Sequence, residues 1–295
     1  EWTVMPDPGT AAAALRNNEA DWWENPPNDL IPVLARSRDI AVKRSNPLGT
    51  IGSGIFNCLY PPFDKPAVRN VVLRAMSQED FMTAAAGADP SFWNAKSGVF
   101  TPGSPLATDA GIEAITAPRD MERLKRELRD AGYAGETIVM LAPSDQQALM
   151  GIAEVGRDLF IRLGMEVDYR ISDWGTLVQR RASREPPDKG GWNFFHTTWN
   201  GLDGINPGVM TYLRANGPRA WFGWPTVPRL DALRQQWFDA PDLATQRSIA
   251  ADIQRTVFDE APYLPSGQYF ANTGYRRSIS EPISEVFAFW GVRRV

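Results

Sequence analysis

The sequence predicts an α/β protein, because strand and helix signals alternate along its 295 residues. Residues 137–171 have the order strand, long helix, strand, which is typical of a right-handed βαβ unit with parallel strands. Residues 51–75 have the order strand, proline corner, helix. A hydrophobic content of 43% is sufficient for a substantial core. We therefore expect a sheet covered by helices.

The first 45 residues predict four short elements. Apolar spacing and the polar residues that flank each segment indicate, in chain order, a helix, a strand, a capped helix and a second strand. These elements are expected at residues 11–18, 21–24, 28–37 and 40–44.

The next unit combines a strand with a rigid corner. Residues 51–59 mix β-branched and aromatic residues with two glycines, which favours a strand. Pro61 and Pro62 must end this strand, because proline cannot donate to a sheet ladder. We expect Asp64 to cap the following helix and Pro66 to lie in its first turn. The apolar face of this helix consists of Val68, Val71, Val72 and Ala75.

The middle of the chain predicts two amphipathic helices and two strands. Apolar residues recur three or four positions apart in each helix, and Gly132 and Gly164 supply the left-handed residues that end them. The helices are expected at residues 120–131 and 145–163, and the strands at residues 137–141 and 166–171.

The last third continues the alternation. Asp173 is expected to cap a helix, and the proline- and glycine-containing loop 183–191 to be a mobile connector rather than a domain boundary. An aromatic strand, a helix and two further strands are predicted at residues 192–198, 242–259, 263–270 and 286–290.

Three segments, in this order, resemble a known family. They read F-N-C-L-Y-P-P-F-D-K-P-A-V-R at residues 56–69, D-M-E-R-L-K-R-E-L-R-D-A-G-Y at residues 120–133, and W-N-F-F-H-T-T-W-N-G-L-D-G-I-N-P at residues 192–207. Together they resemble the family 5 extracellular solute-binding proteins, the peptide-type receptors of bacterial ABC importers. The resemblance covers nearly the whole chain.

The resemblance implies a two-lobed fold of the type II periplasmic-binding-protein class. We expect residues 1–64 and 266–295 to form part of a first, hinge-bearing lobe and residues 65–265 to form a second lobe. The passes between lobes are expected near Phe63 and Pro265. Family members are considerably longer, and the first residues lack the basic and apolar regions of a signal peptide. We therefore expect the chain to be the C-terminal part of such a receptor.

The implied function is capture of di- or oligopeptides between two lobes and delivery to a membrane permease. The resemblance also implies a periplasmic or extracellular, membrane-anchored location and a monomer without cofactors. Related receptors carry opines, oligosaccharides or metal chelates, so a non-peptide solute is the first alternative. A sensory binding module and an enzyme are weaker alternatives.

The loop at residues 199–207 is the predicted centre of the ligand site. It combines Trp199 with Asn200, Gly201 and a single acid, Asp203. In peptide receptors of this family an aspartate in this loop holds the ligand's amino group. Anchored on Pro207, Asp203 takes that position, whereas anchoring on Trp199 gives it to Leu202. The alternative role for Asp203 is that of a turn residue bonded to its own backbone.

Other candidate ligand contacts come from elsewhere in the chain. The dipeptide receptors place an arginine for the ligand carboxylate near the position of Gln146, so the resemblance leaves a carboxylate clamp in doubt here. The chain has 11 tryptophans, and stacking aromatic residues are common in ligand clefts. The aromatic candidates are Trp22, Trp23, Trp221, Trp224 and Tyr269, with at least one of Trp221 and Trp224 expected in the core.

Composition argues against several other classes. A net charge of -4 offers no attraction to nucleic acid, and no apolar run reaches about 18 residues, the length of a membrane span. Cys58 and His196 are the only residues of their types, so the sequence predicts neither a disulfide nor a two-histidine metal site. We expect both to be core residues and no catalytic residues to be present. A catalytic pair of Cys58 and His196 is the alternative.

Overall fold

The computed structural model describes residues 1–283 and 289–295. The strands in these two ranges form two sheets. They are β1 (Trp22–Trp23), β2 (Ile40–Arg44), β3 (Thr50–Phe56), β4 (Trp93–Asn94), β5 (Ile138–Pro143), β6 (Val167–Ser172), β7 (Phe194–Asn200), β8 (Tyr263–Tyr269) and β9 (Asn272–Arg276).

The α-helices alternate with these strands over much of the chain. They are α1 (Pro8–Arg16), α2 (Ile31–Ala35), α3 (Pro66–Ala75), α4 (Gln78–Ala86), α5 (Glu113–Thr116), α6 (Met121–Asp130), α7 (Gln147–Arg162), α8 (Trp174–Arg180), α9 (Pro228–Asp239) and α10 (Leu243–Glu260). Short 3₁₀ turns are present as well, including Asn28–Leu30 before α2 and Gly201–Gly204 after β7.

The larger sheet has six strands in the order β4-β8-β3-β7-β5-β6. Strand β5 runs parallel to β6 and to β7, whereas β3 is antiparallel to both β7 and β8. The predicted βαβ unit is therefore present as β5, α7 and β6, with parallel strands. The smaller sheet has three antiparallel strands in the order β1-β9-β2.

Both faces of the larger sheet are buried. Adjacent residues of a strand point to opposite faces, and in this sheet they pack into two different hydrophobic cores. In β7, Phe194 packs with residues of α3, α4 and α7, whereas Phe195 packs with residues of α9 and α10. The smaller sheet has its own core, in which Leu15 and Leu34 are fully buried beside Ala12 and Ile40. Continuous apolar strands such as β5 are the expected sequence of a sheet covered on both faces.

The chain crosses between the two sheets twice. The first crossing joins β2 to β3 through residues 45–49, and the second joins β8 to β9 through residues 270–271. Strand β3 belongs to the six-stranded sheet, between β7 and β8. The division of the chain into lobes stays a prediction, with these crossings as its structural background.

Several predicted helix and strand ends agree with the structure. Strand β2 has the predicted bounds, and the side chains of Asp120, Asp173 and Asp242 cap α6, α8 and α10. Gly132 and Gly164 follow α6 and α7 with φ of 95° and 82°, values that glycine adopts without strain. Local capping chemistry was therefore a sound guide to these boundaries.

Three predicted details differ. Lys65, not Asp64, precedes the first turn of α3, and its side chain makes no capping hydrogen bond. The helix predicted at residues 28–37 is a 3₁₀ turn followed by a five-residue helix without a side-chain cap. The Asn28 oxygen accepts from the Asn272 amide at 3.1 Å instead, and its Nδ2 donates to the Ala86 carbonyl at 2.9 Å. Strand β3 ends at Phe56, since the Asn57 N–H leaves the ladder to donate to the Asn193 carbonyl.

One predicted strand lies partly outside the described residues, and several elements of the structure were not predicted. Residues 286–288 of the last predicted strand lie outside the described residues, and Phe289 and Trp290 belong to no strand. Helices α4 and α9 and strand β9 were not predicted, because each lacks the long regular apolar pattern that marks α7. Ser77 does cap α4 through its hydroxyl, a signal that the sequence contained.

Candidate ligand-binding site

Four residues from different strands form a row at one end of the larger sheet. In the sheet register Trp93 of β4 lies opposite Tyr269 of β8, Tyr269 opposite Thr50 of β3, and Thr50 opposite Asn200 of β7. Polar and aromatic groups from four strands are thereby held at fixed spacing. Because β3 begins and β8 ends in this row, it lies next to both crossings between the sheets.

A cavity of about 200 Å³ lies between this row and the smaller sheet. Thr50 and Asn200 line it from the larger sheet, and the residues that end β1 and β2 line it from the smaller one. The described residues around it are Trp22, Glu24, Asn25, Lys43, Arg44, Ser45, Asn46, Thr50, Asn200, Ala271, Thr273, Pro282 and Ile283. The lining mixes an indole, amides, hydroxyls and charges of both signs, which suits a polar ligand.

Asn46 fastens the first crossing to the cavity wall. Its side-chain N–H groups donate to the Gly49 carbonyl at 2.9 Å and to Oδ1 of Asn200 at 3.1 Å, while its Oδ1 accepts from the Leu48 N–H at 2.9 Å. Gly49 has φ of 63°, and an added Cβ would meet the Tyr269 carbonyl. The glycine is therefore needed where the two crossings approach each other.

Asp203 has a bonding role within its own loop. Its Oδ2 accepts from the Asn200 N–H at 3.1 Å, and the Asn200 side chain accepts from the Leu202 N–H at 2.9 Å, so the two residues form a capping box around the Gly201–Gly204 turn. Asp203 is not among the described residues that line the cavity. This geometry corresponds to the alternative role considered for it, whereas its contact with an ammonium stays a prediction.

Three predicted aromatic residues, Trp199, Trp221 and Trp224, pack in or against the core on the Phe195 face of the larger sheet. Trp199 stacks on Tyr212 with ring centroids 4.3 Å apart and meets Trp221 edge-on at 4.8 Å. Trp224 is 4% exposed and packs on Trp192, so it belongs to the core, as expected for at least one of this pair. Burial raises the pKa of Tyr212, and the nearby Asp203 carboxylate raises it further.

Gly201 is a buried residue of this loop, and its contact with a ligand stays a prediction. It is buried, its N–H donates to the Gly49 carbonyl at 2.8 Å, and its carbonyl accepts from the Thr101 hydroxyl at 2.7 Å. An added Cβ would overlap the Leu48 carbonyl oxygen. Gly201 therefore allows close packing of two loops, which is a supporting role for the site.

The predicted residues of the first lobe lie on strand β1. The indole N–H of Trp22 donates to the Thr273 hydroxyl at 2.6 Å, and its ring lines the cavity. Trp23 packs against the small core and lines a second groove of about 590 Å³, which Trp22 and Glu24 line as well. The structure thus brings Trp22, but not Trp23, to the same cavity as Asn200.

Tyr269 and Gln146 lie at the same end of the larger sheet. Burial raises the pKa of Tyr269 to about 12, against the opposing effect of the Thr50 and Thr198 hydroxyls. Gln146 follows β5 and precedes α7, where its exposed side chain makes no capping bond. Because β5 runs parallel to β7, Gln146 lies on the Asn200 side of the sheet, and contact with a ligand stays a prediction.

Glu24, Asn46 and Thr50 line the cavity but were not predicted from the sequence. Burial raises the pKa of Glu24, with the Asn25 side chain acting in the opposite direction. The turn-forming run at residues 45–49 between two strands was the signal that could have identified Asn46. Nothing in the local sequence places Glu24 near Asn200, because their proximity depends on how the two sheets are joined.

The two residues considered for catalysis do not lie side by side. His196 and Cys58 are separated along the sheet, since His196 lies opposite Gly54 whereas Cys58 lies beyond the end of β3. Burial raises the pKa of the Cys58 thiol, which disfavours a reactive thiolate. Among residues 1–283 and 289–295, no group of three or more metal-binding side chains is present, and no helix is long and apolar enough to cross a membrane.

Comparison with known proteins assigns the family. The family described as bacterial extracellular solute-binding proteins, family 5 Middle, matches residues 1–220. A probable peptide ABC transporter periplasmic-binding protein of Sinorhizobium fredii is 30% identical over 277 residues, which are 94% of this chain and 52% of that protein. The chain therefore spans about half the length of this relative.

Solved structures agree with the fold. A dipeptide-binding protein of Pseudoalteromonas in complex with Met-Leu is 20% identical, with a TM-score of 0.76 over 100% of this chain and 58% of its own. DppA of Helicobacter pylori in complex with the peptide STSA is 17% identical, with a TM-score of 0.79 over 99% of this chain and 56% of its own. With the family match over residues 1–220, these findings show that the chain belongs to the family 5 bacterial extracellular solute-binding proteins.

Proposed function

We propose that the natural protein is the substrate-binding component of an ABC importer, and that it captures di- or oligopeptides between two lobes. The observation that carries this proposal is the polar cavity between the two sheets, which is lined by Trp22 from one and by Thr50 and Asn200 from the other. A ligand held there contacts both parts of the chain at once. Its binding therefore favours the closed arrangement of the lobes.

We place the passes between lobes at residues 45–49 and 270–271 rather than at Phe63 and Pro265. Strand β3 and strand β8 both belong to the six-stranded sheet, whereas β2 and β9 pair in the smaller one. Both crossings border the cavity through Asn46 and Ala271. A hinge in this position would couple closure directly to ligand contact.

Delivery to a permease follows from closure. The closed receptor presents surfaces of both lobes together, whereas the open receptor does not, so a membrane partner that contacts both lobes prefers the loaded form. The energy of import comes from the ATPase of the importer and not from this chain. We propose a periplasmic or extracellular, membrane-anchored location, a monomer, no binding of nucleic acid and no catalytic activity.

Peptides are the proposed cargo because the relatives described above are named for peptide or dipeptide binding. A second candidate is a non-peptide solute. AgaA of Agrobacterium, in complex with agropinic acid, matches 94% of this chain with a TM-score of 0.76 and 17% identity. Its similarity in fold is equal to that of the dipeptide-binding protein, so the cargo depends on the side chains of the cavity.

Tryptophan fluorescence of the natural full-length protein tests this proposal. Trp22 lines the cavity and reports on its occupation. A pool of di- to pentapeptides should cause a saturable change, and the recovered peptides should be intact by mass spectrometry. Saturable binding of opines or oligosaccharides without any response to the peptide pool would contradict the peptide assignment. Cleavage of the peptides would contradict the receptor role.

A further inference from the structure

The loop between α4 and β4, residues 86–92, is fixed to the larger sheet. Trp93 follows it directly and begins β4, which pairs with β8. The Trp93 indole N–H donates back to the Gly87 carbonyl at 3.0 Å, and the Asp89 carboxylate accepts from the Ser91 N–H at 2.9 Å. These bonds give the loop a defined shape, and we call residues 86–92 the brace loop.

Three carbonyls of the brace loop accept hydrogen bonds from the smaller sheet and from the second crossing. They belong to Ala86, Ser91 and Phe92, and their donors, in the same order, are the Asn28 side-chain amide at 2.9 Å, the Arg44 guanidinium at 2.9 Å and the Phe270 N–H at 2.8 Å. Arg44 ends β2, and Phe270 belongs to the crossing at residues 270–271. One loop of the larger sheet therefore holds both the crossing and the smaller sheet.

Asn28 connects the brace loop to the smaller sheet without lining the cavity. Its Nδ2 donates to the Ala86 carbonyl, while its Oδ1 accepts from the side-chain amide of Asn272 at 3.1 Å. Asn272 begins β9 directly after the second crossing, and Leu30 of the same turn as Asn28 packs against the small core. Asn28 therefore moves with the smaller sheet, and a displacement of that sheet stretches its bond to Ala86.

The crossings between the sheets are held on two sides. In the strand order β4-β8-β3-β7 the crossings leave from β8 and β3, the middle pair. On the β7 side Asn46 bonds to Asn200, and on the β4 side lies the brace loop. With both sets of bonds formed, the cavity is lined by residues of both sheets. The orientation that these bonds hold is thus one in which both walls of the cavity are in place.

We infer that Asn28 is a positioning residue for ligand binding, because through the brace loop it keeps the two sheets in the orientation that takes up the ligand. The inference rests on the proposed receptor function. A protein of which only a fraction has the competent arrangement binds more weakly by that fraction and associates more slowly. Asn28 therefore raises the affinity and the association rate without contacting the ligand.

The test compares Asn28→Ala with the matched control Asn70→Ala in the natural full-length protein. Asn70 also donates its side-chain amide to a backbone carbonyl, that of Phe258 at 2.9 Å, but this bond joins α3 to α10. Both variants lose a hydrogen bond of the same kind. Of these two bonds, only the one made by Asn28 joins the smaller sheet to the larger one.

The orientation of the two sheets is measured without ligand. Spin labels are attached at Arg36→Cys, beside the smaller sheet, and at Glu79→Cys on α4, both exposed positions, after the native cysteine is removed by Cys58→Ala. Electron double resonance then gives the distribution of the distance between the labels. In unlabelled protein, equilibrium dialysis with a di- to pentapeptide pool gives affinities, and stopped-flow fluorescence with the tightest-bound peptide gives its rates.

We expect Asn28→Ala to broaden the distance distribution and to weaken binding about 3- to 10-fold, mainly through slower association. Asn28→Asp should have the same effects, because it keeps an oxygen that accepts from Asn272 and loses the donor to Ala86. Asn70→Ala should leave the distribution unchanged and the affinity within about twofold, although both alanine variants lower the unfolding midpoint.

An unchanged distance distribution in Asn28→Ala, or tighter binding by it, overturns the inference. Equal broadening or an equal loss of affinity in Asn70→Ala also overturns it, because a general loss of stability then explains the result. If Asn28→Ala does not fold, Asn28→Asp decides by the same criteria. The distance measurement needs no ligand, so it tests the brace loop separately when the unchanged protein binds no peptide and the proposed peptide function fails.

Discussion

The side-chain amide of Asn46 donates to Oδ1 of Asn200 at 3.1 Å and so joins the crossing after β2 to the end of β7. Asn46 belongs to the first crossing between the sheets, residues 45–49, and Asn200 begins the turn that contains Asp203. Two segments separated by more than 150 residues in sequence therefore share one wall of the cavity. This bond links the geometry of the crossing to the geometry of the site.

Asn46→Ala removes this bond and two others within the crossing. Each such bond contributes about 0.5 to 1.5 kcal/mol, so the loss of three should lower the free energy of unfolding by about 1.5 to 4.5 kcal/mol. Urea denaturation of the variant measures this change. Gln147→Ala, at an exposed position on α7, is the control and should differ by less than about 0.5 kcal/mol. Equal stabilities for both variants would contradict the role given to Asn46.

The capping role of Asp203 predicts a difference between two substitutions. Asp203→Asn keeps an oxygen that can accept from the Asn200 N–H, whereas Asp203→Ala does not. We expect Asp203→Ala to lower the free energy of unfolding by about 1 kcal/mol and Asp203→Asn to lower it by less than half of that. Chemical denaturation distinguishes them. Equal losses in both variants would mean that the charge, and not the cap, stabilises the loop.

His196 predicts a specific pH dependence of stability. Burial lowers its pKa to about 3 from 6.5, although the Ser53 backbone opposes this shift. The unfolded state therefore binds a proton that the folded state does not, so this contribution to stability is complete above pH 6.5 and is lost as the pH falls from 6.5 towards 3. Between pH 6.5 and pH 5 the loss should be about 2 kcal/mol.

His196→Gln is the control for this effect, because His196 is the only histidine. The difference in free energy of unfolding between pH 7 and pH 5 should be about 2 kcal/mol larger in the unchanged protein than in the variant. Denaturation with urea at the two pH values measures it. An identical pH dependence in both proteins would show that His196 titrates normally in the folded state.

Gly156 provides the space that His196 occupies. A Cβ added at Gly156 would overlap Nε2 of His196 and approach Cε of Met140 to 3.3 Å. We expect Gly156→Ala to lower the free energy of unfolding by about 1 to 3 kcal/mol, as overpacking does in buried sites. In a His196→Val background the same change should cost less than half as much. Equal costs in both backgrounds, measured by urea denaturation, would contradict direct contact between these positions.

Local sequence signals were sufficient for much of the fold. Asp173 caps the helix that it was expected to cap, because capping depends on residues three positions apart. The helices predicted to begin at Asp120 and Asp242 begin there, and both side chains cap them. The parallel pair β5 and β6 followed from one long apolar helix between two short strands. The family resemblance supplied the fold class, which the matched structures confirm.

The site was only partly predictable. Trp22 and Asn200 were expected in it and line the cavity, whereas Glu24, Asn46 and Thr50 were missed. Their proximity depends on antiparallel pairing between β3 and β7, about 150 residues apart in sequence, and on the two crossings between sheets. No local pattern carries that information. Gly201 and Trp224 were also named as ligand residues, and both are buried. Their burial depends on how whole loops pack, which the local sequence does not show.

Hydrogen exchange of the natural full-length protein shows whether a ligand binds between the two sheets. With a bound peptide, we expect slower amide exchange in residues 22–25, 45–50 and 199–203, which lie at or beside the cavity. The surface groove of about 450 Å³ beside Asn70 and Glu127 lies between helices and should show no change. Protection confined to that groove, or none near the cavity when the peptide is saturating, would contradict a ligand site between the two sheets.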